Sequence, residues 1–401
     1  MKRIAILIDE SLPDSKLVHA KMYHILATDL LKFNADVTIF VPGRILQKSW
    51  IKIKEYEGVT YAEFRCPKIR KKSKVLRLIS ESLLSPLLFV SLILSRYNQK
   101  FTHCINHAPT IFFGAFCIHL RRKGAKIILI QRDFFPKWAI DEGLLRANSV
   151  ITKYLEIIEK VNYHSAHLVG LQSPRNLEIF AEIFPRYKNK SKVIYNWTHA
   201  SYQTHDTQLG KEFVGNLGIK NKTIFFYGGN MGHAQDMFAL LKLAKKIKID
   251  GNKKFHLLLV GDGHEYNSVQ AYIEDQALDN VTLHPAVDQK LYHQLLWCVD
   301  VGLITLARSH MTHNFPGKLL GYMEAGLPIL GSVNARNDVI ELFNEHDAGM
   351  ISINGDEAQF YRDAETLLGD KKLRARMGDN ARKLITSYFS VSSVVKEILA
   401  A

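Results

Sequence analysis

The feature that most restricts the fold of this 401-residue chain is a regular alternation of short apolar segments with amphipathic helical segments. Strands that alternate with helices form parallel sheets covered by helices on both faces, so the pattern predicts the α/β class. Apolar residues at helical spacing over residues 17–33 give one of these helices. The strands predicted in the first half cover residues 3–8, 36–41, 59–64, 101–106, 126–131, 167–171 and 192–195.

A second series of strands and helices follows a polar, weakly periodic stretch over residues 196–218, which is typical of a domain junction. Since 401 residues exceed what one hydrophobic core usually supports, we expect two domains, residues 1–197 and 198–385. We expect residues 386–401 to form a helix that packs back on the first domain. Ligands of such sheets bind at the carboxyl ends of the strands, in a cleft. The strands predicted in the second half cover residues 222–227, 255–260, 281–283, 299–304, 328–331 and 349–353.

Positive charge is concentrated in the first half of the chain. Residues 1–200 hold 32 Lys and Arg against 16 Asp and Glu, whereas residues 201–401 hold 21 against 23. One sign confined to one half indicates an anionic partner, such as a membrane leaflet, a polyphosphate lipid or nucleic acid. The chain has no aromatic-plus-basic platform or recognition-helix signature, so we expect no nucleic-acid partner.

Cysteine usage and the N-terminus both favour a cytoplasmic protein. The four cysteines (Cys66, Cys104, Cys117 and Cys298) form no C-x-x-C pair, which argues against a disulfide framework or a zinc site. The apolar run at residues 4–8 is too short for the apolar core of a signal peptide.

One segment, residues 68–95, interrupts the alternation. Six basic residues lie between Lys68 and Arg77, and an apolar run of about a dozen residues follows, short of the ~20 needed to span a bilayer. One interpretation is a surface that binds anionic lipid headgroups and inserts apolar side chains at the membrane interface. The other is a buried core helix that follows a solvated basic loop.

Two glycine turns follow strands in the second half. Residues 228–233 read Gly-Gly-Asn-Met-Gly-His and precede a helix, whose N-terminus offers free N–H groups to an anion. Residues 261–263 read Gly-Asp-Gly and could flank a bound base, although Asp262 could equally be an ordinary turn residue. We therefore take Gly229, Asn230, Gly232, Gly261 and Asp262 as candidate residues for binding a nucleotide substrate, called donor-binding residues below.

The most specific motif is His313-Asn314-Phe315-Pro316-Gly317-Lys318, at the start of a predicted helix. Pro316 is suited to a first helical turn, so Lys318 projects from that turn. Its ammonium and the positive end of the helix can act together on a bound diphosphate. If a reaction breaks the bond to that diphosphate, the leaving group gains negative charge, and a fixed cation stabilises it. We expect Lys318, with Asn314 and His313 beside it, to bind a substrate that carries such a diphosphate and to assist catalysis.

These residues resemble a known family. Gly228–Gly232, Val260–Gly263 and Phe315–Pro328 follow the order and spacing of the retaining-type family 4 glycosyltransferases. Residues 9–22, 132–136, 228–237 and 313–323 further resemble bacterial L-fucosamine (L-FucNAc) transferases of O-antigen or capsule assembly. The resemblance implies a GT-B fold, in which two Rossmann-like domains with parallel sheets face a central cleft. It also implies that the first domain binds the acceptor and the second binds the nucleotide sugar.

The same resemblance implies the substrates. The donor would be a UDP-linked N-acetylated deoxyhexosamine, and the acceptor a saccharide on undecaprenyl diphosphate at the cytoplasmic face of the inner membrane. We expect no cofactor. Sugar transferases that hold the diphosphate through a divalent metal typically have an Asp-x-Asp motif, and the chain contains none, so we also expect no metal.

The chain departs from the family at two places. His313 and Gly321 stand where the family carries two glutamates, one near the donor sugar and one on the ribose. His313 could hydrogen-bond the sugar or a phosphate, and Glu324, one turn after Gly321, could reach the ribose hydroxyls or face solvent. The family's glycine-rich first loop is replaced by residues 9–15.

The residue that activates the acceptor hydroxyl is left open by the sequence. Asp133 follows a strand and could accept a proton from the cleft, although it could instead cap the next helix. His107, at the end of another strand, is the second candidate, and it could also be a satisfied core histidine. Asp9 and His19 are further candidates.

Two other functions compete with glycosyl transfer. A UDP-sugar 2-epimerase can share this two-domain fold but needs no lipid, which the basic and apolar segment at residues 68–95 argues against. A non-catalytic scaffold of a polysaccharide assembly complex would explain the missing glutamates.

Overall fold

The computed structural model describes residues 1–13, 15, 18–69, 73–97, 99–108, 110–141, 143–199, 206–308 and 315–401. The chain divides into two compact units, Met1–Thr198 with Val391–Ala401, and His199–Ser390. The division after Thr198 lies one residue from the junction expected from the sequence. The segment that returns to the first unit begins at Val391 rather than at residue 386, because the preceding helix continues to Tyr388.

A single sheet forms the centre of the first unit. Its strands are β1 (Lys2–Leu7), β2 (Ala35–Pro42), β3 (Ile51–Tyr56), β4 (Val59–Phe64), β5 (His103–His107), β6 (Lys126–Gln131), β7 (Leu168–Leu171) and β8 (Ser191–Val193). The strand order is β3-β4-β2-β1-β5-β6-β7-β8. The pairs are parallel from β4 to β8, which brings the carboxyl ends of these strands to one edge.

The edge strand β3 was not predicted, and it pairs with β4 in antiparallel orientation. Glu57 and Gly58 join the two strands with φ angles of 49° and 77°. Positive φ at both central residues of a two-residue turn suits the right-handed twist of a hairpin. The expectation of wholly parallel sheets is therefore wrong at this edge.

Helices cover the sheet of the first unit. They are α1 (Val18–Lys32), α2 (Lys74–Ser82), α3 (Leu84–Leu94), α4 (Gly114–Arg122), α5 (Lys137–Asp141), α6 (Val150–Ser165) and α7 (Pro174–Ile183). The predicted helix over residues 17–33 corresponds to α1, whose buried face includes Tyr23, Leu26 and Leu30.

The segment predicted as one apolar run forms two helices. On α3, Leu84 and Leu88 belong to the core of the first unit, whereas Ile93 and Leu94 are exposed. The helix is therefore half core and half exposed, and its contact with a membrane stays a prediction. In the part of the chain that the structure describes, no single helix is long and apolar enough to cross a bilayer. The pair Val75–Ser82 and Leu84–Leu94 satisfies length and composition together but bends by 40°.

The second unit has a wholly parallel sheet. Its strands are β9 (Thr223–Gly228), β10 (Phe255–Val260), β11 (Val281–His284), β12 (Val301–Thr305), β13 (Ile329–Val333) and β14 (Gly349–Ile353). The strand order is β11-β10-β9-β12-β13-β14. The core between sheet and helices contains Phe225, Met237, Leu257 and Leu303.

Helices alternate with the strands of this second sheet. They are α8 (Gln208–Asn216), α9 (Met237–Ile249), α10 (Tyr266–Asp275), α11 (Gln289–Leu296), α12 (Lys318–Ala325), α13 (Asp338–Glu345), α14 (Glu357–Gly369) and α15 (Lys371–Tyr388). The last helix, α16 (Val391–Ala400), belongs to the first unit, where it packs on α1. Its Ser392 Oγ donates a hydrogen bond to Asp29 Oδ2 at 3.3 Å.

Candidate functional site

The two glycine turns of the second unit are packed against each other at the carboxyl ends of β9 and β10. Gly229 N–H donates to Val260 O at 2.9 Å, and Met231 N–H donates to Asp262 O at 2.7 Å. A Cβ on Gly261 would lie 1.8 Å from Gly229 O, so only glycine permits this approach. The predicted donor-binding residues Gly229, Gly261 and Asp262 therefore lie together, and the Asp262 side chain is exposed.

A glutamine that the sequence analysis did not single out fixes the first of these turns. Gln235 Oε1 accepts hydrogen bonds from Asn230 Nδ2 at 2.8 Å and from Gly232 N–H at 3.1 Å. Tyr227 Oη donates to Asn230 O at 2.5 Å. Asn230 and Gly232 thus belong to a hydrogen-bonded turn of fixed shape, which suits it to hold a ligand.

Lys318, the first residue of α12, reaches the first glycine turn. Its Nζ lies 3.4 Å from the centroid of the Tyr227 ring, and it would lie 3.7 Å from a Cβ on Gly229. Burial lowers the pKa of the Lys318 ammonium well below its usual range. Within the described ranges, Lys318 is in no ion pair. An ammonium held by an aromatic face without a counterion favours an anionic ligand.

Two tyrosines to which the sequence analysis assigned no role, the buried Tyr322 and the half-buried Tyr292, pack beneath this turn. Gly228 N–H donates to Tyr322 Oη at 3.1 Å. A Cβ on Gly228 would lie 2.5 Å from Tyr292 Cε2, so the missing side chain lets the ring approach the backbone. Tyr322 lies inside the Phe315–Pro328 motif but has no assigned role in the sequence analysis, and Tyr292 lies in no motif.

The remaining predicted donor residues lie on or just before α12. His313 and Asn314 lie outside the described residues. A Cβ on Gly321 would lie 3.0 Å from Leu296 Cδ1, so a glutamate there would require Leu296 to shift. Glu324 is half-buried and lies about 9 Å beyond Lys318 along the helix axis. Its contact with a ribose stays a prediction.

A polar cluster lies at the carboxyl ends of β1 and β5 in the first unit. His19 Nε2 lies 3.1 Å from Asp9 Oδ1, a distance for an ion pair but without the alignment of a hydrogen bond. The His19 ring stacks on the His107 ring, with 4.9 Å between centroids. Asp9, His19 and His107 present nitrogen or oxygen atoms within 4.8 Å of one another. Such a set could hold a proton or a metal ion.

His107 is the buried member of this cluster, with 1% of its surface exposed. Its Nδ1 lies 3.1 Å from Tyr23 Oη. Burial, His19 and Arg132 all lower the pKa of His107, so the ring is neutral at physiological pH. A buried neutral ring is poorly placed to meet an acceptor hydroxyl, and it supports His19 instead.

Asp133, the first choice for the base, follows β6 at the same edge of the sheet. It is half-buried, and its backbone oxygen accepts hydrogen bonds from Gln131 Nε2 at 2.6 Å and Phe135 N–H at 3.0 Å. Its carboxylate is not part of the cluster formed by Asp9, His19 and His107. Its role in proton transfer stays a prediction.

Comparison with known proteins places this geometry in context. Residues 211–384, within the second unit, match the family described as Glycosyl transferases group 1. The chain is 23% identical over 244 residues to "Probable glycosyltransferase WbjE" of Pseudomonas aeruginosa, covering 60% of this chain and 59% of the relative. It is 20% identical over 235 residues to a Campylobacter jejuni protein, N-acetylgalactosamine-N,N'-diacetylbacillosaminyl-diphospho-undecaprenol 4-alpha-N-acetylgalactosaminyltransferase, covering 59% of each chain. The chain thus spans about three fifths of the length of these relatives.

Several solved structures have a similar fold over the whole length of this chain. Sucrose-phosphate synthase from Thermosynechococcus elongatus has a TM-score of 0.74 at 13% identity, covering 100% of this chain and 98% of that one. Anabaena Alr3699/HepE in complex with UDP and glucose has a TM-score of 0.70 at 14% identity, covering 100% and 99%. The fold is that of the GT-B glycosyltransferases. The curated relatives matched by sequence are themselves named as glycosyltransferases.

Proposed function

We propose that this chain transfers an N-acetylated deoxyhexosamine, L-FucNAc, from a UDP-linked donor to a saccharide on undecaprenyl diphosphate. The product would extend a bacterial O-antigen or capsule. The observation that carries the proposal is the position of Lys318 against the Gly229 turn at the carboxyl end of β9. The diphospho-undecaprenol named for the Campylobacter jejuni relative supports the acceptor class.

In this proposal the donor diphosphate lies between the Gly229 turn and the N-terminus of α12. The N-terminus of α12 favours phosphate oxygens through its dipole, and Lys318 supplies the positive charge. As the bond between the sugar and the diphosphate breaks, negative charge accumulates on UDP, and Lys318 stabilises that charge more than the ground state. The transfer would then need no metal ion.

On the acceptor side, we assign proton removal to His19. The charge of Asp9, 3.1 Å from Nε2 of His19, favours a proton on Nε2, which leaves Nδ1 as the nitrogen that takes the proton of the acceptor. The acceptor hydroxyl gives its proton to His19, its oxygen bonds to the anomeric carbon, and UDP leaves with the electron pair of the broken bond. The negative charge of Asp9 stabilises the imidazolium that forms. Asp133 is the rival candidate for this step.

The location proposed for the enzyme is the cytoplasmic face of the inner membrane. Exposed apolar side chains on α2 and α3 include Val75, Leu76, Ile79 and Ile93. A basic stretch from Lys68 to Arg77 runs into the first turn of α2. Apolar side chains beside clustered cations favour an anionic membrane surface, where a lipid-linked acceptor resides.

The test is a donor screen with the purified protein. UDP-sugars are incubated with and without a prenyl-diphosphate-linked N-acetylhexosamine, UDP release is measured, and the product anomer is read by NMR. We expect UDP release that depends on acceptor, greatest with UDP-L-FucNAc. Epimer formation without acceptor would instead identify an epimerase, and no reaction with any donor would indicate a scaffold.

A further inference from the structure

The first unit contains a cavity that the proposed reaction does not yet use. It encloses about 1300 Å³ beside the loops that follow β1, β2 and β4. Its wall includes Asp9, the residue beside His19. The cavity therefore adjoins the cluster assigned to proton removal and lies wholly within one unit of the chain.

Four cations line this cavity, and they come from three separate segments. Arg44 and Lys48 lie in the loop after β2, Lys52 lies on β3, and Lys68 follows β4. All four side chains are exposed, and within the described residues none of them is in an ion pair. Their charges are therefore available to a ligand.

The acidic side chains nearby are already engaged. Asp9 lies 3.1 Å from His19, and Glu10 accepts a hydrogen bond from Ser15 Oγ at 2.7 Å. Glu63, which faces Lys52 in the strand register, pairs with Lys54 instead. The cavity thus has a net positive charge, which favours a ligand that carries more than one negative charge.

Hydrogen bonds to β4 hold the loop with Arg44 and Lys48 in place. Gly43 N–H donates to Phe64 O at 2.7 Å, and Gln47 Nε2 donates to Glu63 O at 2.9 Å. Arg65 NH2 donates to Lys48 O at 2.7 Å. Since this loop is tied at both ends and at its centre, its backbone does not have to be ordered when a ligand binds.

Apolar side chains lie at the same cavity. Leu46 is 92% exposed and Ile45 is 48% exposed, and both line the cavity together with Ile69. Exposing Leu46 to water is unfavourable unless something apolar covers it. A ligand that joins a polyanion to an apolar chain satisfies the cations and the apolar side chains at once.

We propose that this cavity binds the lipid carrier of the acceptor, with the diphosphate on the four cations and the first prenyl units on Ile45, Leu46 and Ile69. This inference rests on the proposed function, because it takes the acceptor to be a prenyl-diphosphate saccharide. The sugar attached to the diphosphate then extends toward Asp9 and His19. A free phosphate carries similar charge but no prenyl chain. The test distinguishes a prenyl diphosphate from a free phosphate as the ligand.

The test is equilibrium binding without turnover, by calorimetry with farnesyl diphosphate, inorganic diphosphate, farnesol and UDP as separate probes. We expect farnesyl diphosphate to bind more tightly than either inorganic diphosphate or farnesol. The double variant Lys48→Gln/Lys52→Gln should weaken its binding about tenfold or more, as loss of two charge-assisted contacts implies. Leu46→Ser should weaken farnesyl diphosphate but leave inorganic diphosphate unchanged.

The matched control is Lys100→Gln/Lys188→Gln, which removes two exposed lysines of the same unit outside the cavity. Equal affinity of the cavity variant and this control would overturn the proposal. Inorganic diphosphate binding as tightly as farnesyl diphosphate would identify a phosphate site, and competition by UDP would identify a nucleotide site. Because no sugar is transferred, binding can be found even if the chain proves not to be a transferase.

Discussion

The ammonium of Lys318 lies 3.4 Å from the centre of the Tyr227 ring, at the point where β9 turns into Gly229. The two residues are 91 positions apart in the chain, and they meet because β9 ends beside the N-terminus of α12. The aromatic face stabilises the cation, and among the described residues no carboxylate pairs with it. This arrangement favours an anionic ligand, and a diphosphate is the one that we propose.

Replacing Lys318 by Ala should slow sugar transfer. Loss of one preorganised donor to a leaving group raises the barrier by about 2–4 kcal/mol, which lowers turnover roughly 30- to 1000-fold. Steady-state release of UDP measures the change. Lys290→Ala, an exposed lysine on α11, serves as the control and should keep normal turnover. Near-normal turnover in Lys318→Ala would refute the role of Lys318.

Binding of UDP should take up a proton. The pKa of Lys318 is lowered in the free protein by burial, and a bound diphosphate raises it again. UDP affinity should therefore be highest below the pKa that Lys318 has in the free protein, and it should fall as the pH rises through that pKa. Calorimetry in two buffers of different ionisation enthalpy reports the proton uptake. Lys318→Met should abolish the uptake, and uptake that persists in this variant would assign it to another group.

How far the sequence predicted this site depends on distance along the chain. Glycine turns after strands and a lysine at a helix start are local patterns, so the sequence is enough to select Gly229, Gly261 and Lys318 as candidates. The contact of His19 with His107 depends on β1 lying next to β5 in the sheet. Local sequence patterns do not determine strand order. The sequence therefore gives His19 and His107 as separate candidates and does not predict that their rings are in contact.

The same reasoning explains what the sequence analysis missed in the fold. The strand β3 has one buried residue among six and belongs to an edge, so no apolar run marks it. The Glu57-Gly58 turn was the available signal, because glycine favours the positive φ that a tight hairpin needs. Gln235 had no signal, since its role depends on the backbone of Gly232 and the side chain of Asn230.

Changing His19 to Gln should lower turnover about 10²- to 10⁴-fold without weakening UDP binding, because general base catalysis contributes this much. Asp9→Asn should have a smaller effect, since it removes the charge that stabilises the imidazolium but keeps the ring. Asp133→Asn is the informative comparison. If Asp133→Asn loses turnover while His19→Gln keeps it, the base is Asp133 and the assignment of His19 is wrong.

Replacing Gly261 by Ala should disrupt the packing between the two glycine turns. Its Cβ would lie 1.8 Å from Gly229 O, so the two turns must separate, and we expect UDP affinity to fall at least about tenfold. Gly215→Ala is the matched control, because a Cβ there meets no atom within 4 Å. In helix α8 that change should be neutral or stabilise by up to about 1 kcal/mol. Fluorescence titration with UDP and chemical denaturation measure the two effects.

Neutralising Lys71, Lys72 and Lys74 should release the protein from anionic vesicles. Each lysine near an anionic surface contributes about 1 kcal/mol, so partitioning should fall on the order of a hundredfold. Sedimentation with vesicles that contain phosphatidylglycerol measures it, and neutral vesicles give the baseline. Unchanged sedimentation would argue that the basic stretch does not meet the membrane.

The apolar part of the same surface makes a separate prediction. Val75, Leu76 and Ile79 occupy one face of α2 and are exposed, so they are free to enter the interface. Changing all three to Ser should weaken vesicle binding even at high salt, where the lysines are screened. Ile249→Ser, an exposed apolar residue of the second unit, should change nothing. If the α2 variant loses vesicle binding only at low salt, its apolar side chains do not enter the bilayer, and the attachment is purely electrostatic.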